Sequence, residues 1–166
     1  MSAPEDHRAA SAQLSPMTPD EFHDFYAFSV ADYAREKVRA GNWSEEEALQ
    51  RSKQEFQQLL PSGLDTPNHF LYAIRDDGGE KVGALWLAVE KRRGRTTGFI
   101  YQLYIDERFR RRGFGAGAMR ALEQIARALG VDTLALHVFG HNHAAIALYR
   151  GLGYDVTNIN MAKKLE

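Results

Sequence analysis

Arginines at 108, 110, 111 and 112 stand directly before glycines at 113, 115 and 117, and the run continues into a helical pattern (RFRRRGFGAGAMRALE, 108–123). The first turn of a helix carries backbone N–H groups with no partner inside the helix, and the positive end of the helix dipole lies there. An anion at that point is stabilised without any side chain. Glycine lets such an anion come close to the backbone because no Cβ intervenes. The junction therefore has the composition of a phosphate cradle, against the plainer possibility of a solvated basic turn ahead of an amphipathic helix.

The elements around the junction can be placed from periodicity. FIYQLYI (99–105) has strand character and ends just before the arginines. After them, Phe114, Ala118, Leu122, Ala126 and Leu129 fall on one helical face, Arg120, Glu123, Gln124 and Arg127 on the other, and Gly130 ends the helix. Gly113, Gly115 and Ala118 also match the dinucleotide fingerprint G-x-G-x-x-A, with Asp132 about 20 residues on. Its context fails: there the glycines follow the first strand of a parallel βαβ unit and the acid ends the next strand, whereas Asp132 begins one.

Upstream, Thr18, Pro19 and Glu21 form a capping box opening a helix over 19–40 that Gly41 closes. Ser44 and Glu47 repeat the signature for a second helix, stopped by Pro61 and Gly63, so the two make a hairpin. Trp43 at its joint is a packing cap or a substrate platform. Residues 1–13 are small and polar and are expected to be a loose terminus, with a short strand near Leu14–Met17. HFLYAI (69–74) and KVGALWLAVE (81–90) form a β-hairpin, KRRGRTTG (91–98) a polar loop, DTLALHVF (132–139) a fourth strand of this half, HAAIALYRGLG (143–153) a short helix, and YDVTNINMAKKL (154–165) one or two closing strands. The expected order is β-α-α-β-β-β-α-β-α-β, one domain over 1–166, with 14–67 holding the first strand and hairpin and 68–165 the core.

The totals limit the function. Lys and Arg number 21 against 22 Asp and Glu, a formal charge of −1, so no global field draws the chain to nucleic acid or an anionic membrane. There is no apolar run long enough to span a bilayer and no export signal, so the cytoplasm is the expected compartment. The chain contains no cysteine, which excludes disulfide scaffolds, cysteine–zinc sites and thioester intermediates on the enzyme.

Arg110-Arg111-Arg112-Gly113-Phe114-Gly115 matches R/Q-x-x-G-x-G/A. Leu103-Tyr104-Ile105 lies on the preceding strand, and Asn142 through Tyr149 reads N-x-x-A-x-x-L-Y ahead of Gly153-Tyr154. In this order, over roughly 68–165, the chain resembles the GCN5-related N-acetyltransferase (GNAT) superfamily, and as a whole a bacterial subfamily with unassigned substrate. The resemblance implies an α/β fold, a three-layer α/β/α sandwich around a mixed, mostly antiparallel sheet. It implies an acetyl-CoA-dependent acyltransferase acting on an amine acceptor in a ternary complex, with a homodimer plausible from the family alone.

The resemblance also implies roles. Backbone N–H groups around Arg111, Arg112, Gly113, Phe114, Gly115 and Ala116 would bind the pyrophosphate of acetyl-CoA, with Arg110, Arg111 and Arg112 adding charge. The backbone of Leu103, Tyr104 and Ile105 would pair with the pantetheine arm as an added strand. Tyr149 is the candidate catalytic acid for the leaving thiolate, and Asn142 would bond to the cofactor arm or simply cap its helix. No carboxylate stands on the 99–105 strand, where some relatives carry a base. His137 or a water relay to Glu36 are the alternatives, and Gln102 cannot serve. His141 and His143 flank Asn142 without an evident carboxylate partner, so no metal site is expected. Two rivals stay in view: an acyl-CoA-binding sensor on the same fold without chemistry, and nucleic-acid binding through Arg92, Arg93, Arg95 and Arg108 to Arg112.

Overall fold

The computed structural model describes residues 10–165, so the expectation for residues 1–9 lies outside the described residues. The elements run β1 (Gln13–Pro16), α1 (Pro19–Arg39), α2 (Glu45–Leu59), β2 (His69–Arg75), β3 (Lys81–Arg92), β4 (Arg95–Ile105), α3 (Phe114–Ala128), β5 (Thr133–Leu136) and α4 (His143–Gly151). The strands form one sheet in the order β1-β2-β3-β4-β5. The first four are antiparallel and β5 runs parallel to β4, the mixed, mostly antiparallel arrangement anticipated.

Local chemistry sets the helices. At α1 the Thr18 amide donates to Glu21 Oε2 at 3.0 Å while the Glu21 amide donates to Thr18 Oγ1 at 3.2 Å, closing the capping box. At α2 the Ser44 amide donates to Glu47 Oε1 at 3.3 Å. The hairpin is joined from inside, where the fully buried Ser52 hydroxyl donates to the Val30 carbonyl at 2.7 Å. Trp43 is buried edge-to-face on Tyr33, with the Lys37 and Arg51 cations over its ring at 5.2 and 4.9 Å. It is the packing cap of the hairpin.

Strand alternation splits the core into two layers. Leu71, Ala84 and Trp86 face α1 and α2, packing with Phe25, Val30 and Phe56. Tyr72, Ile74, Leu85 and Leu87 face α3, packing with Ala118, Met119 and Leu122. The outcome is helices on both faces of a sheet, the α/β/α sandwich.

Three expectations need correction. Residues 91–98 are not a loop: β3 and β4 continue to Arg92 and from Arg95, joined by Arg93 and Gly94 at φ 50° and 80°. Left-handed angles at both central positions match the right-handed strand twist, so the ladder persists through a strongly basic sequence. The strand expected over 132–139 pairs only at Thr133–Leu136. Residues 154–165, expected as closing strands, form no strand in the single chain.

One irregularity positions the site. Trp86 lies opposite Gln102 but Leu87 opposite Ile100, so Tyr101 is an extra residue in β4, a β-bulge. The pairing of β4 with β5 ends one residue earlier, at Ile100 opposite Leu136. Beyond this point the two strands part, leaving the β5-side backbone edge of Gln102–Ile105 open.

At the other end of the sheet, Arg75 ties three elements together. Its guanidinium donates to Ser15 Oγ of β1 at 2.8 Å and to Glu21 Oε1 of α1 at 2.6 Å. Burial alone would raise the Glu21 pKa, but the Thr18 amide and the Arg75 bond and charge outweigh it and hold the carboxyl below its usual 4.5. A carboxyl lowered on folding stabilises the fold fully above its unfolded value and loses that contribution as pH falls through the folded one. Glu21→Gln should therefore cost about 1 kcal/mol at pH 7. The difference from wild type should shrink steadily below pH 4.5. Urea denaturation at several pH values measures both; a pH-independent difference would show that the carboxylate charge contributes nothing.

Candidate active site

The parting of β4 and β5 opens a cleft of about 1070 Å³ running through the molecule from the N-terminus of α3 to the α1–α2 hairpin. Leu103, Tyr104, Ile105, Arg110, Arg111, Gly113, Phe114, Gly115, Ala116, Asn142 and Tyr149 all line it. These residues, separated by up to 46 positions in sequence, share one surface. Arg112 does not line the cleft; its guanidinium lies over the Phe109 ring at 5.7 Å.

The arginine run is a shaped turn rather than a loose cluster of charge. Arg108 pairs with Glu80 at 3.4 Å. Arg110 Nε donates to the Ile105 carbonyl at 2.9 Å, with its guanidinium 5.6 Å from the Tyr104 ring, which clamps the chain as it leaves β4. Arg111 is left-handed at φ 60° and Gly113 at φ 85°. A non-glycine residue there costs on the order of 1 kcal/mol and persists only where the surroundings impose it.

Gly113 caps α3 with no side-chain hydrogen bond, and no acidic residue stands in the first turn. The amide of Gly117 returns to the Gly113 carbonyl at 3.0 Å. The amides of Phe114, Gly115 and Ala116 precede the first intrahelical bond, so they have no acceptor within the helix. The three alternating glycines prove unequal. A Cβ on Gly115 would lie 3.3 Å from Leu148 Cδ2 on the α4 side, whereas one on Gly117 would lie 2.5 Å from the Ala10 carbonyl, on the side facing the N-terminal segment. Gly115 belongs to the cleft and Gly117 to the packing of the segment before β1.

Tyr149, on α4, is half-buried within the cleft, and burial pushes its hydroxyl up to about 12. It is therefore a neutral phenol throughout the neutral range, able to give a proton but not charged. Asn142 Oδ1 accepts from the Ala145 amide at 3.2 Å, so the side chain caps α4 and fixes the helix that carries Tyr149.

At the hairpin end, α1 and α2 contribute Asp32, Tyr33, Glu36, Lys37 and Glu55, and the sheet contributes Trp86 and Tyr101. Tyr101 stacks on Trp86 at 4.5 Å, and Trp86 Nε1 donates to His69 Nδ1 at 3.0 Å. Burial raises the Tyr33 pKa, assisted by a hydrogen bond to Glu55, so this phenol also stays protonated. His137 lines the cleft with its pKa lowered by burial and by the Lys37 charge.

His141 has the carboxylate partner that its sequence neighbourhood lacks. Its Nε2 lies 2.5 Å from Glu36 Oε2, across 105 positions of sequence. His141 also stacks on Phe139 at 5.5 Å. A carboxylate at this position accepts from an Nε2–H and holds the ring in place. No local signal links the two residues: Glu36 sits in the last turn of α1 and His141 follows a glycine in a turn. Among the described residues no group of three or more His, Cys, Asp or Glu could hold a metal ion.

Comparison with known proteins bears on the family and the fold. The family model described as the acetyltransferase (GNAT) family matches residues 25–154. The chain is 40% identical over 152 residues to an uncharacterized N-acetyltransferase of Bacillus subtilis, YdgE, covering 92% of this chain and 97% of that protein. The crystal structure of YycN, an acetyltransferase of the same organism, superimposes with a TM-score of 0.90 at 40% identity, covering 94% of this chain and 99% of that one. A mycothiol acetyltransferase of Propionibacterium freudenreichii is 27% identical over 155 residues, where this chain spans 46% of the relative's length.

The unequal glycines give a direct test. Gly117→Ala forces a backbone carbonyl at 2.5 Å to move. It should lower stability by about 1–2 kcal/mol despite the better helix propensity of alanine. Gly115→Ala meets only a leucine methyl at 3.3 Å, and thermal unfolding should place it close to wild type. Equal losses at both positions would contradict the assignment of the two glycines to opposite sides of α3.

Proposed function

The chain belongs to the acetyltransferase (GNAT) family, and we propose that it transfers an acetyl group from acetyl-CoA directly to a primary amine while both are bound. The observation that carries this is the entry to α3, where a left-handed glycine cap without a side-chain bond leaves three amides at the positive end of a 15-residue helix. Those amides, with Arg110 and Arg111 at the rim, would hold the pyrophosphate. The open edge of Leu103–Ile105 would take the pantetheine arm by strand-like pairing. Acetyl-CoA supplies the activated thioester; the protein supplies position and protons.

The amine must reach the acetyl carbon uncharged. His141, fixed by Glu36, takes its proton at Nδ1, and the acids Asp32 and Glu55 favour entry of a cation at the hairpin end. As the carbon–nitrogen bond forms and the carbon–sulfur bond breaks, Tyr149 gives its phenolic proton to the departing sulfur. With no cysteine in the chain, direct transfer needs no thioester on the protein. The alternative, an acyl-CoA sensor without turnover, shares the cradle but not the need for Tyr149 and His141.

Calorimetric titration of acetyl-CoA, with NADH as comparator, should give a dissociation constant on the order of micromolar for acetyl-CoA alone, weakened at least about tenfold in Gly113→Glu. Tyr149→Phe should keep that affinity and lose about 100-fold in turnover across an amine panel. Tight binding without turnover of any amine by the wild type would favour the sensor, and no binding would defeat both.

The base is tested by substitution. His141→Gln should reduce turnover about 100-fold, Glu36→Gln should lower it in the same direction, and His137→Gln should leave it near wild type. An acidic limb of the kcat/KM profile that lies below the ordinary imidazole value of 6.5 and is lost with His137 would transfer the role to that residue, whose pKa burial and Lys37 depress. Because the Tyr149 hydroxyl is raised to about 12, no alkaline limb from the acid should appear in the neutral range.

A further inference from the structure

One carboxylate at the hairpin end of the cleft has no countercharge. Asp32 is paired with Arg35 at 2.9 Å, and Glu36 holds His141 and lies 3.9 Å from Arg39. Lys37 sits over the rings of Tyr33 and Trp43 at 5.3 and 5.2 Å. Glu55, half-buried in the cleft wall on α2, pairs with no cation among the described residues. Its partner is the Tyr33 phenol, which burial and then this same carboxylate keep protonated, so the hydroxyl donates and the negative charge stays in place.

The groups beside Glu55 suit a cation. Tyr101, the extra residue of the β4 bulge, stacks one face on Trp86 at 4.5 Å and is still 40% exposed. It lies close enough to Tyr33 to add to the rise of that phenol's pKa. An aromatic face next to a carboxylate binds an ammonium through the ring quadrupole and the charge together. Ser29 is an independent sign of a polar ligand: it is fully buried, it lines the cleft, and its hydroxyl has no hydrogen-bond partner among the described residues. A buried hydroxyl left in that state is costly unless a ligand or water meets it.

Spacing relates this carboxylate to the proposed base. Ser29, Tyr33 and Glu36 line the cleft from one face of α1, and Tyr33 and Glu36 are one turn apart, about 5–6 Å between Cβ atoms. Glu55, at the Tyr33 hydroxyl, is thus offset from His141, at Glu36, by about that turn. We propose that the acceptor is a small aliphatic diamine, with one nitrogen uncharged at His141 and the second held as an ammonium by Glu55 and the Tyr101 ring. This names the substrate class of the transfer reading above and rests on it. The second nitrogen keeps its proton and takes no part in bond making. A monoamine would leave Glu55 without countercharge, and an amino acid would set its carboxylate against it.

Diaminobutane and butylamine, which differ only in the second amine, are the probes. Thiol release should give diaminobutane a kcat/KM at least about tenfold higher, with the gain in KM because the ammonium contact is the same before and during transfer. Glu55→Gln should bring the two amines to within about twofold of each other, and Tyr101→Leu should reduce the preference about threefold. Circular dichroism confirms that each variant is folded. Calorimetry of diaminobutane into the CoA-saturated protein reads the same site without turnover, and Glu55→Gln should weaken that binding about tenfold. Equal kcat/KM for the two amines, or a preference that survives Glu55→Gln, would overturn the diamine while leaving acetyl transfer intact. Binding that depends on Glu55 without acetylation of either amine would support the ammonium site and defeat the transfer reading. Neither binding nor preference would overturn the proposal outright.

Discussion

The separation of β4 from β5 is the constraint from which the rest of the molecule follows. Two strands that pair in parallel at four positions stop pairing at Ile100 and Leu136, and the bulge at Tyr101 sits on the β3 side of the same point. An unpaired backbone edge inside a protein is costly unless something satisfies it. Here the open edge of Gln102–Ile105 ends at the Arg110 clamp, and the clamp delivers the chain into α3. The edge and the helix entry are therefore consecutive products of one break in the ladder. A ligand that presents amide groups to the first and phosphate to the second would restore what the break removed.

Most of the fold was legible because local and global signals agree. The capping boxes at Thr18 and Ser44, the apolar face of α3 and the alternation of β2 and β3 each identify an element without reference to the others. Failures came where a tertiary partner decides. The basic stretch 91–98 looks like a loop by composition, yet Arg93 and Gly94 adopt the left-handed pair that continues a hairpin. Residues 137–139 look like strand, but β4 and β5 have parted by Ile100 and Leu136 and no other strand pairs with them among the described residues. Residues 154–165 also carry a strand-like pattern and form no strand.

The site divides in the same way. The residues at the entry to α3 are contiguous in sequence and line one cleft, and Tyr149, singled out through the resemblance, lines the same cleft. What composition could not separate was Gly115 from Gly117, which differ only in the direction a missing Cβ would take, or Arg111 from Arg112, which differ in whether the side chain reaches the cleft. The Glu36–His141 pair was beyond reach, since no periodicity links residues 105 positions apart.

The two ends of the cleft differ in how firmly they are built. The α3 end is shaped largely by backbone: a left-handed arginine, a left-handed glycine and the Arg110 side chain clamped on the Ile105 carbonyl. The hairpin end is held by side chains from α1 and α2, each replaceable without disturbing a ladder. The direct transfer proposed above would need both, with the carbon to be attacked positioned from one end and the acceptor from the other. A fold that fixes the common reactant through backbone and the variable one through side chains can change its acceptor by substitutions on two helices while the cradle stays intact. On the function proposed above, the aromatic wall of Tyr33, Trp86 and Tyr101, with Glu55 and the Glu36–His141 pair, is where the identity of the acceptor would be written.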